Sequence, residues 1–594
     1  MSLLLLMGGS APNVASLFAN NEAGLALDVE AAYLRGWVYQ DSAGATVAAA
    51  AGDPVGLILD TAKGGLDQLG SDLVSNGTFA SDTVWTKGAN WTIGSGVATK
   101  TGGAANNLTQ TISSTAGLWY RITMDVTRTA GTLTVSLGTS GTTYAMSASG
   151  SYTFYILAGS STQTLTLAGD SSFAGTVDNV TARLVPGSHA YQTTSGSRPL
   201  LARTPDGGRR NVLTYSEQFD NAAWTKSATT ISANATTAPD GTLTADSYVD
   251  TAVADDHVLY NSFQTTTTAT FSVYAKANGK TNVSLRAFSN ANETYVAVFD
   301  LSNGTKGLDV ETGTTFSGVS AAISSVGNGW YRCSITYTRS SGITYHAIDL
   351  VTSSNPTLGS NGSQGYLGDG TGIFIWGAQV ETGSSATAYQ KVGLTSDVTE
   401  SGKRDCWGLL FDGSDDSLAS SAIDFSGTDK MVVMAGVRKL SDAAAGTIAS
   451  LGTYVSGNTF ELQAPPSVLQ KYQWAIHGNG ANTTDDDFNV YRFAGIAPTT
   501  NVITATADRS IANTSGVSAR NNGVIATRET TTVTGSNISG NFANAILYIG
   551  RRGGSTLPFN GLLYSLIIRG ATTPTGTIAD FEKNLLARRA GTSW

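Results

Sequence analysis

Apolar and polar residues alternate with a period of two along most of this chain. The runs Tyr120–Thr127 (YRITMDVT), Thr132–Leu137 (TLTVSL), Thr270–Ala275 (TFSVYA) and Asn282–Ala287 (NVSLRA) are clear cases. Each is bounded by Gly, Asn or Ser, which predicts half-buried antiparallel strands closed by tight turns. Helical spacing is rare. The strongest instance is Thr577–Arg589, where Ile578, Phe581, Leu585 and Leu586 share one helix face and Arg588-Arg589 stand near the end, where cations suit the helix dipole. A second short candidate is Ala15–Glu22. The pattern predicts an all-β chain of β-sandwiches with short N-terminal and C-terminal helices.

Length and composition sharpen this picture. The 594 residues imply several domains, because single cores stop growing at roughly 250–300 residues. Charged residues make up only 13% against 41% hydrophobic, a balance foreign to disordered chains. The net charge is −9, with Lys and Arg scattered apart from the pairs Arg209-Arg210, Arg551-Arg552 and Arg588-Arg589. No basic stripe is available for phosphates, so nucleic acid is not an expected partner. No stretch approaches the roughly 20 apolar residues of a membrane span, so no membrane insertion is expected.

The opening MSLLLLMGGS lacks a basic n-region, and its apolar run Leu3–Met7 is shorter than a secretory signal needs. It reads as a docking peptide over residues 1–13, or equally as a leader packed on the first domain. Cys333 (in WYRCSI) and Cys406 (in KRDCWGLLF) are the only cysteines. So few in so long a chain predict two free, buried thiols of a protein made in a reducing cytoplasm.

Two segments follow one plan. The first starts after Leu73 with VSNGTFASDTVWTKG and closes with FAGTVDNVTARLVPG; the second starts after Asn211 with VLTYSEQFDNAAWTKS and closes with GIFIWGAQVETG. A polar-Phe opening, a Trp-Thr-Lys, a Gly-rich turn and several alternating strands predict a jelly-roll sandwich in each.

The flanking segments carry a resemblance. Val38–Asp60 reads VYQDSAGATVAAAAGDPVGLILD, Ser188–Gly208 reads SHAYQTTSGSRPLLARTPDGG, Trp407–Ser421 reads WGLLFDGSDDSLASS, and IGRRGGSTLPFNGLLYSLII follows later. Together they resemble bacteriophage tail or head fibre proteins carrying a laminin-G/concanavalin-A-like sandwich, and the inserts resemble carbohydrate-binding-module jelly rolls. The resemblance implies a sandwich split over residues 14–70, 188–210 and 396–594, with jelly rolls at 71–187 and 211–395 inserted in its loops. It also implies a virion fibre or spike, made in the host bacterial cytoplasm, that attaches to other virion proteins through its N-terminus and binds host cell-surface polysaccharide. A purely structural tail or capsid decoration and a secreted bacterial polysaccharide-binding adhesin are the alternatives. Closed cyclic symmetry would cover strand edges and add avidity, which points to a homotrimer.

Enzymatic chemistry finds little footing, and no enzyme is expected. There is no run of paired carboxylates of the E-x-D-x-x-E type, no G-x-S-x-G and no H-E-x-x-H. Asp28-Val29-Glu30 has the right spacing for a pair but lacks a third acid. His189, His257, His346 and His477 stand alone, and Gly368–Gly372 (GDGTG) lacks the following helix of a phosphate loop.

Sugar binding needs flat aromatic rings beside polar groups. Candidates are Trp85, Trp91, Tyr144 and Tyr155 in the first jelly roll and Trp224, Tyr274, Tyr295 and Tyr345 in the second. The last sandwich offers Tyr472, Trp474, His477, Tyr491 and Arg492, near the acidic loop Asp485–Asp487. Trp119, Trp330 and Trp376 lie within apolar alternation and read as core. No cofactor is required. Structural calcium is the one cation the sequence offers, with Asp178, Asp412, Asp415 and Asp416 as ligands. The simpler reading of those acids is as turn residues bonding their own backbone.

Overall fold

The computed structural model describes residues 12–594 apart from 139–142, 160–162, 265–267, 290–292, 340–342, 454–456, 468, 479–487, 512 and 530–537. Most of residues 1–13 and the acidic loop Asp485–Asp487 therefore lie outside the described residues. The chain is all-β, built of antiparallel sheets packed as sandwiches. It divides into two compact units, Met1–Ala202 with Cys406–Trp594, and Arg203–Asp405.

In the first unit the main sandwich is assembled from both ends of the chain. Gly24–Asp28 pairs with Asn560–Arg569, from Gly24 opposite Arg569 to Asp28 opposite Ser565. On the facing sheet Leu57–Ile58 pairs with Ala190–Tyr191, which pairs in turn with Leu418–Asp424. Inward residues of both sheets, among them Leu57, Leu409, Val433, Trp474, Leu547 and Leu563, form one continuous core. Two long strand runs, Lys430–Lys439 and Thr499–Asp508, cross its centre in full register. The first carries the unbroken apolar run Met431–Val437, which fits a strand covered on both faces.

The second face is covered by the C-terminal helix. It runs through Thr575–Phe581, a π-turn at Glu582–Leu586 and Ala587–Ala590, and stops at Gly591 with φ 62°. Ile578, Phe581, Leu585 and Leu586 pack on Ala26, Val432, Met434 and Ile567. Arg589 does more than favour the helix end. Its Nε and Nη2 lie 2.7 and 2.9 Å from the Asp28 carboxylate, and Nη1 lies 2.8 Å from Glu30. Asp28 also caps the short helix Val29–Leu34. So the acidic pair Asp28/Glu30 ties the two chain ends together. The expected helix at Ala15–Glu22 is reduced to one 3-10 turn, Val14–Leu17. Beyond it Glu22 is drawn away from helical geometry into a bidentate pair with Arg569, at 2.7 and 2.8 Å.

The first jelly roll packs two five-stranded sheets around Trp91, Ile122, Met124, Val135, Leu165 and Val177. The second unit packs two six-stranded sheets around Phe271, Leu285, Ala297, Phe299, Ile335 and Ile348. Their shared openings fold alike. Trp85 donates its indole N–H to the carbonyl of Asn76 at 3.1 Å, and Trp224 to that of Tyr215 at 3.0 Å, nine residues back in each case. Each ring then packs on a Phe, Phe79 or Phe219, at 5.2 and 5.0 Å. Cys333 and Cys406 are buried free thiols in different units. Among the described residues no helix is long and apolar enough to cross a membrane.

Candidate functional site

The site is laid out by strand parity in the second unit. On Asn282–Phe288, residues Val283, Leu285 and Ala287 enter the core, so Ser284, Arg286 and Phe288 stand on the opposite face. On Ile343–Leu350, Ile348 and Leu350 enter the core and Tyr345 and Asp349 face out. The register sets Phe288 opposite Tyr345, and sets both Arg286 and Tyr260 opposite Ala347. Three half-buried rings thereby meet on one sheet surface. Phe288 and Tyr345 stack at 5.0 Å and 25°, and Tyr260 stands edge-on to them at 6.1 and 5.9 Å.

A buried charge pair underlies the platform. The Arg286 guanidinium lies 4.2 Å from the Phe288 ring centre. Its Nε and Nη2 donate to the two oxygens of Asp349 at 2.8 and 3.1 Å, while Nη1 donates to the Asn361 carbonyl at 2.7 Å. Ser284 Oγ adds a further bond to Asp349 at 3.2 Å. Arg286 is 3% exposed and Asp349 1%.

The segment 352–364 straps over the same face. Its Ser354 carbonyl accepts from Leu308 N–H at 2.8 Å. A Cβ at Gly362, whose φ is 81°, would press within 3.0 Å of Thr294 and Val296 and 3.1 Å of Arg286. The strap can lie this close only because that position has no side chain. The arrangement offers ring faces for stacking and hydroxyls from Tyr260, Tyr345 and exposed Ser262. The Asp349 carboxylate beneath the rings is taken up by Arg286 and Ser284.

The other sequence-derived candidates fall elsewhere, and several must be corrected. Trp85, Trp91, Tyr155, Trp224, Tyr295, Trp474, His477 and Tyr491 are each at most 7% exposed, so no ring face is open to a sugar. A buried indole or phenol settles its polar atom on a backbone carbonyl. Trp91 bonds Asn106 at 3.1 Å, Trp474 bonds Thr506 at 3.1 Å and Tyr491 bonds Ala526 at 2.6 Å. Tyr472 is buried with its hydroxyl 2.9 Å from Asn501. Burial, then the charges of Arg552 and Arg509, pushes His477 down to about 3. Arg492 is half-buried and donates to Gln473 at 2.6 Å. Tyr274 is half-buried, with the Arg332 guanidinium 5.3 Å from its ring centre and Trp376 packed edge-on. Trp119, Trp330 and Trp376 are buried. Tyr345 alone of these lies on the three-ring platform, and Tyr144 remains half-buried in the first unit.

Tyr260, Phe288, Arg286 and Asp349 were not singled out by sequence. A signal existed, because in NVSLRAF the last Phe shares parity with Asn, Ser and Arg. An aromatic on the polar side of an alternating strand marks an outward ring.

Asp412, Asp415 and Asp416 do converge, with carboxylate oxygens within 4.8 Å of one another. Turn bonds use them as well. Asp412 accepts from Ser414 N–H at 2.7 Å, Asp416 from Asp412 N–H at 3.0 Å and Asp415 from Ser197 Oγ at 2.9 Å. Burial, reinforced by its two acidic neighbours, pushes Asp416 up to about 7. Three hard oxygens this close fit part of a calcium shell. Asp178 is not among them; it accepts from Asn179 N–H at 2.7 Å in the first jelly roll, opposite Asp125. The glycine-rich GDGTG loop cradles a carboxylate of its own chain. The N–H groups of Asp369 and Gly370 donate to Asp250 at 3.0 and 2.7 Å, and Lys280 pairs with the same group at 2.9 Å.

No family model matches this sequence. No curated protein matches it either. Among solved structures, a carbohydrate-binding module of family 40 from the Ruminococcus gnavus IT-sialidase, bound to α2,6-sialyllactose, is 13% identical. It covers 26% of this chain and 84% of that one, with a TM-score of 0.20. Domains LG4-5 of the mouse laminin α1 chain are 10% identical, covering 52% and 84%, with a TM-score of 0.19. The tandem CBM22 domains of Paenibacillus barcinonensis Xyn10C are 12% identical, covering 53% and 98%, with a TM-score of 0.18. At such identities and scores the likeness carries neither a family nor a ligand over to this chain.

Proposed function

We propose that this chain is a non-enzymatic glycan-binding protein of a bacteriophage particle, a fibre or spike whose second unit holds host surface polysaccharide on the platform Tyr260/Phe288/Tyr345. The observation that carries the binding role is that platform: three outward rings fixed on a rigid sheet by the buried Arg286–Asp349 pair. Apolar C–H faces of a pyranose stack on such rings, and its hydroxyls meet those of Tyr260, Tyr345 and Ser262. Single sites of this kind are weak, and many copies on one particle multiply them. The particle role rests on the split sequence motif; attachment through residues 1–13, a homotrimer and a structural calcium at Asp412/Asp415/Asp416 belong to the same proposal.

The full-length chain is to be tested on a glycan array beside Tyr345→Ala and Phe288→Ala. Binding to a bacterial surface polysaccharide that falls at least about tenfold in both variants supports the reading; each tenfold is about 1.4 kcal/mol. An array on which the wild type binds nothing, or on which the variants bind unchanged, refutes it. The burial of Trp85, Trp91, Trp224 and Trp474 favours the rival reading, a structural decoration whose sandwiches are spacers. Light scattering tests the trimer, and a stable monomer at micromolar concentration would remove it.

A further inference from the structure

The first unit contains a cavity of about 250 Å³ where loop 41–46 and the Tyr191–Thr193 segment meet the first jelly roll. Its walls include the rings of Trp119, Tyr144 and Tyr191, the side chain of Leu157 and the hydroxyl-bearing Ser42 and Thr193. Among the described residues no Lys, Arg, Asp or Glu lines it.

The walls are held rigidly. Asp41 accepts from the N–H groups of Ala43, Ala45 and Thr46 at 2.9, 3.1 and 2.9 Å, which fixes the turn carrying Ser42. Tyr155 N–H reaches the Ala43 carbonyl at 2.8 Å, and the hydroxyls of Tyr39 and Tyr155 meet at 2.9 Å, locking the two folds together beside the cavity. The Tyr144 hydroxyl is anchored on the Tyr155 carbonyl at 3.1 Å. Trp119, only 3% exposed, packs edge-on against Tyr191 at 5.1 Å and 72°.

We propose that this cavity is a second sugar site, separate from the platform of the other unit, which takes one neutral pyranose ring. Its size is below the roughly 300–1,000 Å³ of sites that enclose drug-sized ligands, so it admits a single ring or chain end rather than a length of polymer. The half-buried rings of Tyr144 and Tyr191 supply stacking faces, the buried Trp119 backs Tyr191, and Ser42 and Thr193 supply hydroxyl partners. Uncharged walls leave a ligand carboxylate without a counter-charge, so acidic sugars are disfavoured. Preformed walls spare the ordering entropy that a flexible site would lose on binding.

The test is saturation-transfer NMR on the full-length chain with D-glucose, D-galactose, D-mannose and N-acetyl-D-glucosamine, and D-glucuronic acid as the charged probe. At least one neutral sugar is expected to bind at about millimolar strength, the scale of a small ligand in one pocket. The exposed Thr193 can be enlarged without opening the core. Thr193→Trp is expected to fill the cavity and weaken binding more than about tenfold, and Ser42→Ala about threefold, one neutral hydrogen bond. Tyr345→Ala leaves this binding intact, which separates it from the platform. The proposal falls if no neutral sugar saturates the protein below roughly 50 mM. It falls equally if binding by the Tyr345→Ala chain survives the addition of Thr193→Trp, if Tyr345→Ala alone abolishes binding, or if glucuronic acid binds as strongly.

Discussion

Arg286→Met keeps the aliphatic length of the side chain and removes its charge. Asp349, 1% exposed, then loses two charge-assisted bonds at 2.8 and 3.1 Å and keeps only Ser284 at 3.2 Å. Breaking one side of a buried pair costs about 3–5 kcal/mol, because the remaining charge has neither water nor partner. The Asn361 carbonyl also loses its donor, roughly 1 kcal/mol more. In a unit of this size each kcal/mol moves the melting point by about 2–4 °C, so a fall of roughly 8–24 °C is expected in that unit's transition. Differential scanning calorimetry of the whole chain reads it.

The double variant Arg286→Met/Asp349→Leu separates charge from packing. Replacing both partners by apolar groups of similar volume is often neutral, so most of the lost stability returns. Glycan binding does not return with it, since the cation 4.2 Å from the Phe288 centroid and the anchor of the strap are both gone. A single variant less than about 1 kcal/mol below wild type, or a double variant no more stable than the single, would refute this account of the pair.

Three further outcomes are expected. Trp224→Phe and Trp85→Phe each remove a buried N–H···O bond and ring volume, costing about 2–4 kcal/mol in denaturant unfolding while leaving platform binding unchanged. Asp416, held near 7 against an ordinary value of 3.8, favours its neutral form in the folded state. Its ionisation therefore subtracts stability as pH rises from about 4 through 7, and Asp416→Asn should gain on wild type across that window and stay ahead at pH 8. Calcium at the trio would reverse this order, raising the melting point of wild type but not of the variant; equal melting curves with calcium and with chelator would dismiss the ion. Burial pushes the Cys333 thiol upward, and Cys406 is fully buried too, so a thiol reagent should modify neither until guanidinium unfolds the chain. Rapid labelling of the native protein, or a non-reduced mass two hydrogens lighter, would contradict free buried thiols.

Much of the architecture is written locally. Alternation in YRITMDVT or NVSLRA fixes a strand and its two faces, because successive side chains leave a strand on opposite sides. The apolar spacing of Ile578, Phe581, Leu585 and Leu586 likewise fixes the C-terminal helix and the face it buries. The platform was partly legible in the same way, since Phe288 shares its parity with Ser284 and Arg286.

Sequence periodicity does not say whether an outward face meets water, a strap or another sheet. Trp224 sits in a turn that local pattern leaves unassigned, yet its ring closes the core because the Tyr215 carbonyl, nine residues back, comes round to meet it. Tyr295 reads as an available aromatic, but its parity with Ala297 and Phe299 carries it inward. Arg589 finds Asp28 across 561 residues, and Tyr260 finds Tyr345 across a strand pairing that no local rule encodes. A strand's own residues determine which side chains share a face; its hydrogen-bonding partners lie elsewhere in the chain and are chosen by the whole fold. The sequence by itself therefore determined the strands and their faces. Only the tertiary structure decided which faces stayed open and which three rings met.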